Sequence, residues 1–307
     1  MIKDSPAKIK VALIQQSCLG SISENQAKSA QMIREASQNG AELILLPELH
    51  SSFYFCQKED PTYFALAESI PGPTTEFFGR LADELKVVLV ISLFERRLSG
   101  LYHNTAVILD RSNSIAGIYR KMHIPDDPGY NEKYYFTPGD LGFKPVKTSV
   151  GSLGVLICWD QWFPEAARLM ALAGADCLIY PTAIGWSRAE PDLNMRMMQK
   201  DAWVTIQRGH SIANTLPVFS INRVGEEMIS ESESQIFWGS SFATGTLGEY
   251  QLNHDSSSKI CLASHDKEEI LYAAFDASNT ELTRQIWPFL RDRRIEGYKD
   301  LLSYGAS

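Results

Sequence analysis

The sequence predicts a layered α/β fold with mixed β-sheets, on three observations. Short strand-like apolar runs alternate with segments of helical spacing. Two of the runs, Leu101–Asp110 and Ile115–Arg120, flank Ser112-Asn113-Ser114, so a hairpin stands among the βα units. The 307-residue chain is 44% hydrophobic and 21% charged, which supplies a large core and excludes a disordered or fibrous chain.

Taken in order, Lys8–Gln16 reads as the first strand. Glu24–Asn39 has helical spacing and stops at Gly40, a natural residue after a helix C-terminus. Glu42–Leu46 is a buried strand running into Pro47, Thr74–Leu85 a helix and Val87–Ser92 a strand. After the hairpin, Leu153–Cys158 is an apolar strand that stops at the cysteine. Phe163–Ala173 is a helix with Pro164 suited to its first turn. Cys177–Pro181 is a strand, Met195–Leu216 a long helix, and Pro217–Asn222, Phe242–Thr244 and Ile270–Asp276 are strands. The polar stretches Glu226–Gln235 and Asn253–Lys259 read as surface loops. Trp287–Tyr304 carries Arg291, Arg293 and Arg294 between aromatics and reads as a solvated basic face or a subunit contact.

Net charge is −8, from 29 basic and 37 acidic residues, which argues against a nucleic-acid partner and leans toward a cationic ligand. No apolar run reaches the roughly 18 residues of a membrane span, and Met1–Lys10 has no apolar core of a signal peptide. The five scattered cysteines read as reduced thiols rather than a disulfide framework. Together these lead to the expectation of a cytoplasmic protein without membrane or nucleic-acid partners.

Three ionisable residues share one kind of placement. Glu48 follows Leu43–Pro47, Lys121 follows Ile115–Arg120, and Cys158 follows Leu153–Ile157, each past the end of a buried strand. In layered α/β proteins that end of the sheet is where sites form. A cysteine attacks as the thiolate, whose formation a nearby cation or helix N-terminus favours. Lys121 is the expected cation, the helix opening near Pro164 the expected dipole, and Glu48 the expected proton carrier. A buried structural thiol beside a simple Glu–Lys ion pair is the competing reading.

The segments Leu46-Pro47-Glu48-Leu49, Tyr119-Arg120-Lys121-Met122-His123 and Ile157-Cys158-Trp159-Asp160 resemble the three signatures of the nitrilase superfamily, carbon–nitrogen hydrolases with a Glu–Lys–Cys triad. Glu132, in Tyr130-Asn131-Glu132-Lys133-Tyr134-Tyr135-Phe136, matches a second family glutamate. The resemblance spans nearly the whole chain. It implies a four-layer αββα sandwich with two mixed β-sheets and a single domain over 1–307, with 278–307 as a C-terminal tail in subunit packing. It also implies a homo-oligomer and no metal or organic cofactor. On the implied mechanism Cys158 attacks an amide-like carbonyl and Glu48 takes and returns protons. Lys121 and the Trp159 backbone N–H stabilise the oxyanion, and Glu132 holds Lys121 and substrate. A thioester forms and is hydrolysed.

The run from Cys158 to Arg168 closely resembles the N-carbamoylputrescine amidohydrolases, as do Pro125–Phe136 and Tyr180–Gly185. In the related N-carbamoyl-D-amino acid hydrolases, paired arginines stand where Gln161 and Trp162 stand here, and guanidinium forks suit a carboxylate. Their absence points to a small ureido or amide substrate whose tail ends in an ammonium, a group that takes an aromatic or carboxylate lining. The substrate-binding residues on this reading are Trp159, Tyr54, Tyr130, Thr182, Ala183 and Glu190, with Glu190 favoured for the ammonium. Trp186, Asp192 and Asp126 are further candidates. The implied reaction is hydrolysis of N-carbamoylputrescine to putrescine, carbon dioxide and ammonia, a step of polyamine biosynthesis. Another amidase of the superfamily, an N-carbamoyl amino acid hydrolase or a β-ureidopropionate hydrolase is the alternative.

Rival classes fare worse. His50, His123 and His210 are available to a papain-like Cys–His pair, but no signature of that kind surrounds Cys158, and His123 reads as a supporting side chain. There is no HExxH and no close Cys/His cluster for a metal hydrolase, and Gly151-Ser152-Leu153-Gly154 is not a serine-hydrolase elbow. A non-catalytic assembly module of the same superfamily would show loss of a triad residue, and none is lost.

Overall fold

The computed structural model describes residues 8–112, 114–228, 230, 234–254 and 259–305. In chain order the elements are β1 (Ile9–Gln15), α1 (Ile22–Gln38), β2 (Leu43–Leu45), α2 (Pro73–Leu85), β3 (Val88–Leu98), β4 (Leu101–Asp110) and β5 (Ser114–Arg120). There follow α3 (Glu132–Tyr135), β6 (Val146–Thr148), β7 (Gly151–Val155), α4 (Pro164–Leu172), β8 (Cys177–Thr182), β9 (Gly185–Ser187) and α5 (Leu193–Asn214). The chain closes with β10 (Val218–Asn222), β11 (Val224–Met228), β12 (Ser234–Trp238), β13 (Phe242–Thr244), β14 (Glu269–Phe275) and α6 (Ala277–Ile286).

Alternation along the strands builds the layers. Val11 and Leu13 of β1, Leu43 and Leu45 of β2, and Val88 and Val90 of β3 point to one face. Ala12, Ile14, Ile44, Leu89 and Ile91, between or beside them, point to the other, where Ile33 and Ala36 of α1 and Phe78, Leu81 and Ala82 of α2 cover them. Both faces are therefore buried, which is why these strands read as unbroken apolar runs. The first face meets Leu153 and Val155 of β7, Cys177 and Ile179 of β8, and Phe219 of β10. Helix α4 contributes Ala166, Ala167 and Met170 to the same core. The result is a layered α–β–β–α sandwich. One sheet has the order β14-β1-β2-β3-β4-β5 and the other β13-β10-β8-β7-β6, each mixing parallel and antiparallel pairs.

The differences from expectation have local causes. Helix α1 begins at Ile22 rather than Glu24 because Ser21 and Glu24 form a reciprocal capping box. Strand β3 runs past Ser92 to Leu98, since the charged residues beyond are satisfied: buried Glu95 accepts from Arg120 and Thr105. A third sheet, β11-β12-β9, was not expected. It replaces loop with strand over Glu226–Met228 and at Ser234 and Gln235, while 229 and 231–233 lie outside the described residues. Of the loop Asn253–Lys259, residues 255–258 likewise lie outside them, as do Asn113 of the expected hairpin turn and residues 1–7 of the start. Strand β7 stops at Val155, short of Cys158, which instead opens a 3₁₀ turn, Cys158–Trp162. In the tail, Arg284 of α6 donates to the Asn214 carbonyl and to Thr215 Oγ1 at the end of α5.

Candidate active site

Two of the three strand-end groups, Glu48 and Lys121, meet directly, and both act electrostatically on the third, Cys158. Lys121, directly after β5, donates from Nζ to Glu48 Oε1 at 2.8 Å and to Glu132 Oε2 at 2.6 Å. Asn104 of β4 donates its Nδ2 to the same Glu48 oxygen at 2.7 Å, and the Asn104 carbonyl accepts from the Lys121 N–H at 2.9 Å. Tyr54 donates its hydroxyl to Glu132 Oε1 at 2.5 Å. Glu48, Lys121, Glu132 and Tyr54 are all fully buried, so each charge is stable only through these partners. The other Glu48 oxygen, Oε2, is buried and meets no hydrogen-bond partner among the described residues.

The backbone around Glu48 is held from the second sheet. Arg223, fully buried after β10, donates to the carbonyls of Glu48 and Leu49 at 2.8 and 3.0 Å and to Glu227 at 2.7 Å. Leu49 has φ +49°, a left-handed turn that throws the glutamate off the strand line. Glu227 also accepts from the Tyr54 N–H at 2.6 Å, so one buried ion pair fixes both the Glu48 turn and the Tyr54 segment.

Electrostatics follow from one ammonium among two carboxylates. Burial alone would lower the Lys121 pKa, but Glu132 and Glu48 outweigh it and hold it well above the usual value. Glu132 is pushed up to about 7, first by burial and then by Glu48, against the pull of Lys121. The Cys158 thiol goes well above its usual range, because burial and the Glu48 charge exceed the effect of Lys121. Lys121 does act in the expected direction, but burial and Glu48 outweigh it. The dipole expected from the helix at Pro164 is also displaced, because the 3₁₀ turn Cys158–Trp162 stands between the sulfur and α4.

Cys158 lines a cavity of about 610 Å³, together with Trp159, Tyr130, Asp127, Glu190, Gln235 and Trp238. Its Sγ lies 3.9 Å from the Ala183 carbonyl. Tyr130 anchors one side, its hydroxyl accepting from the Gly185 N–H and from Gln235 Nε2. Trp159, Tyr130 and Glu190 thus reach the cavity. Tyr54, Thr182 and Ala183 do not line it: Tyr54 is engaged by Glu132, Thr182 donates to the Tyr180 carbonyl, and Ala183 is fully buried. Of the further candidates, Asp192 caps α5 and Trp186 donates to the Arg196 carbonyl, with the Arg196 guanidinium over its ring. Asp126 is exposed outside the wall, while its neighbour Asp127, which sequence reasoning passed over, lines it. Asn104 was also missed, since an interior strand position carries no local signal, and so was Arg223, although it follows the strand Pro217–Asn222 as Glu48, Lys121 and Cys158 follow theirs.

The three histidines are engaged elsewhere. His50 contacts Ser29, His123 contacts Asp160, and His210 contacts the Gln161 carbonyl. Among the described residues there is no cluster of His, Cys, Asp and Glu that could hold a metal ion. No helix among them is long and apolar enough to cross a membrane.

Residues 10–285 match the family model described as carbon–nitrogen hydrolase. A citrullinase of Francisella tularensis is 44% identical over 297 residues, covering 96% of this chain and 99% of that protein. An N-carbamoylputrescine amidase of Solanum lycopersicum is 43% identical over 304 residues, covering 97% and 96%. The crystal structure of a carbon–nitrogen hydrolase from Helicobacter pylori G27 superposes with a TM-score of 0.92 at 48% identity, covering 98% of this chain and all of that one.

Proposed function

The chain belongs to the carbon–nitrogen hydrolase family and is an amidohydrolase, and from that premise we propose that it hydrolyses N-carbamoylputrescine to putrescine, carbon dioxide and ammonia. The observation that carries this reading is the charge of the cavity. Cys158 lines it together with Asp127 and Glu190, and no Lys or Arg joins them among the described lining residues. A ureide with an ammonium tail suits such a wall. A tail carboxylate would meet like charge without a guanidinium or ammonium to receive it.

In the proposed reaction the Cys158 thiol is neutral until substrate arrives. Glu48 Oε2, free of other bonds, takes the thiol proton as sulfur attacks the ureido carbon. Lys121 and the Trp159 N–H receive the charge developing on oxygen. The proton held by Glu48 leaves with the departing amine as ammonia, giving an S-carbamoyl enzyme. Glu48 then takes a proton from water, whose oxygen displaces the sulfur, and passes it to the departing sulfur, which restores the thiol. The released carbamate loses carbon dioxide to leave the diamine. Glu132 keeps Lys121 in place and is itself held by Tyr54. In this reading the tail 278–307, with Leu301 64% and Leu302 95% exposed, serves contacts between copies in a homo-oligomer.

Citrulline hydrolysis is the second reading, favoured by the Francisella relative at similar identity. The test is ammonia release from purified protein with N-carbamoylputrescine, citrulline, N-carbamoyl-D-phenylalanine, β-ureidopropionate and glutaramate. The highest kcat/KM is expected with N-carbamoylputrescine. A clear preference for any substrate bearing a carboxylate overturns the assignment.

A further inference from the structure

We propose that Asp160 is a positioning residue that locks the Cys158 turn to the Lys121 segment. The proposal rests on the reading of Cys158 as nucleophile and Lys121 as oxyanion donor. Asp160 is fully buried and both of its oxygens are saturated. Oδ1 accepts from the His123 backbone N–H at 3.0 Å and from His123 Nδ1 at 2.7 Å. Oδ2 accepts from the Tyr119 hydroxyl at 2.8 Å and from the Ile157 N–H at 2.9 Å.

Tyr119 and His123 stand two residues to either side of Lys121, and Ile157 immediately precedes Cys158. One carboxylate therefore bridges the two stretches of chain that must bring ammonium and sulfur to the same carbonyl. Among the described residues its only ionisable salt-bridge partner is His123, so its burial is offset by four hydrogen bonds from two separate segments. If the Lys121 segment slides against the Cys158 turn, the three bonds from Tyr119 and His123 break while the carboxylate stays buried. The same residue closes the turn that carries the nucleophile. The Asp160 N–H donates to the Ile157 carbonyl at 3.0 Å, and Cys158 between them sits at φ +42°, a left-handed conformation that a non-glycine residue holds only when its surroundings impose it. The His123 ring stacks on Phe163 at 3.7 Å and 6°, so the Lys121 segment is also seated against the residue that leads into α4.

The test compares Asp160→Asn and Tyr119→Phe with the parent, with kcat normalised to active sites titrated at Cys158 so that misfolded protein does not count. An amide in place of the carboxylate cannot accept at every one of the four donors. Misplacement by a fraction of an ångström is expected to lower kcat per titrated site about tenfold or more in Asp160→Asn and about threefold in Tyr119→Phe, with KM within about twofold of the parent. A merely structural role changes the number of titratable sites and leaves kcat per site alone. If Asp160→Asn does not fold, Tyr119→Phe decides. Values of kcat per site within about twofold of the parent in each variant that folds overturn the proposal. Cys158→Ala serves as control. If it keeps turnover, the reading beneath the proposal falls and the proposal with it. If it is inactive while the other variants match the parent, the proposal alone falls.

Discussion

Lys121 Nζ lies 2.8 Å from Glu48 Oε1, while Oε2 of the same carboxylate meets no hydrogen-bond partner among the described residues. One oxygen is thus committed to holding the ammonium and the other is left to handle a proton. Glu48→Gln keeps an acceptor for Lys121 and removes the base. Ammonia release is expected to fall about 10²–10⁴-fold with the circular dichroism spectrum unchanged. A loss smaller than about tenfold would remove Glu48 from the base role.

Glu48 also raises the Cys158 pKa, after burial and against Lys121. Iodoacetamide is therefore expected to alkylate Cys158 slowly at neutral pH, with a rate that climbs only above the ordinary thiol range of about 8.5. Glu48→Gln, lacking the negative charge, is expected to be alkylated faster than the parent at a fixed alkaline pH although it turns over more slowly. Rapid alkylation of the parent near neutrality contradicts this, as does a slower rate in the variant. Cys158→Ala is expected to abolish both turnover and labelling at this site and to retain the fold.

Glu132 carries a pKa raised from 4.5 to about 7, with burial the leading cause. For an acid, a folded pKa above the unfolded one means that stability is fully present at low pH and is lost as pH rises through that window. Glu132→Gln has no proton to lose there. Its melting temperature relative to the parent is therefore expected to climb between about pH 5 and about pH 8. Melting curves across that range that show a flat or falling difference refute the assignment.

Asp127 and Glu190 line the cavity that Cys158 reaches. The double variant Asp127→Asn, Glu190→Gln is expected to raise KM for N-carbamoylputrescine about three- to tenfold, since each partly solvated ion pair contributes on the order of 1 kcal/mol, with little change in kcat. An unchanged KM would place the ammonium elsewhere.

Arg223 is expected to govern stability as well as geometry. Arg223→Met leaves buried Glu227 and the carbonyls of Glu48 and Leu49 without their donor. Urea denaturation is expected to show a loss of about 3–5 kcal/mol, the cost typical of one partner removed from a buried pair. A loss under about 1 kcal/mol would mean that the pair is dispensable.

Much of the layered fold was legible because its strands are buried on both faces and so write themselves as apolar runs. The third sheet was not. Glu226-Glu227-Met228, the start of the stretch Glu226–Gln235, reads as a loop by polarity, and only its partner β12 makes it a strand. Glu48, Lys121 and Cys158 stood out because each closes such a run, and Glu132 through its motif. Asp127 and Asn104 had no comparable mark.

By itself the sequence determined the residue types at the strand ends and the order in which the layers are laid down, because periodicity and strand-end polarity are local properties of the chain. Only the tertiary structure decided that burial and Glu48 push the Cys158 pKa up against Lys121, that Tyr54 serves Glu132 rather than the cavity, and that Arg223 secures the Glu48 turn. Those outcomes depend on desolvation and on contacts between residues far apart in the chain, such as Tyr54 with Glu132 and Arg223 with Glu48, separated by 78 and 175 positions. Neither burial nor a partner at that distance has a value until the two sheets are packed together.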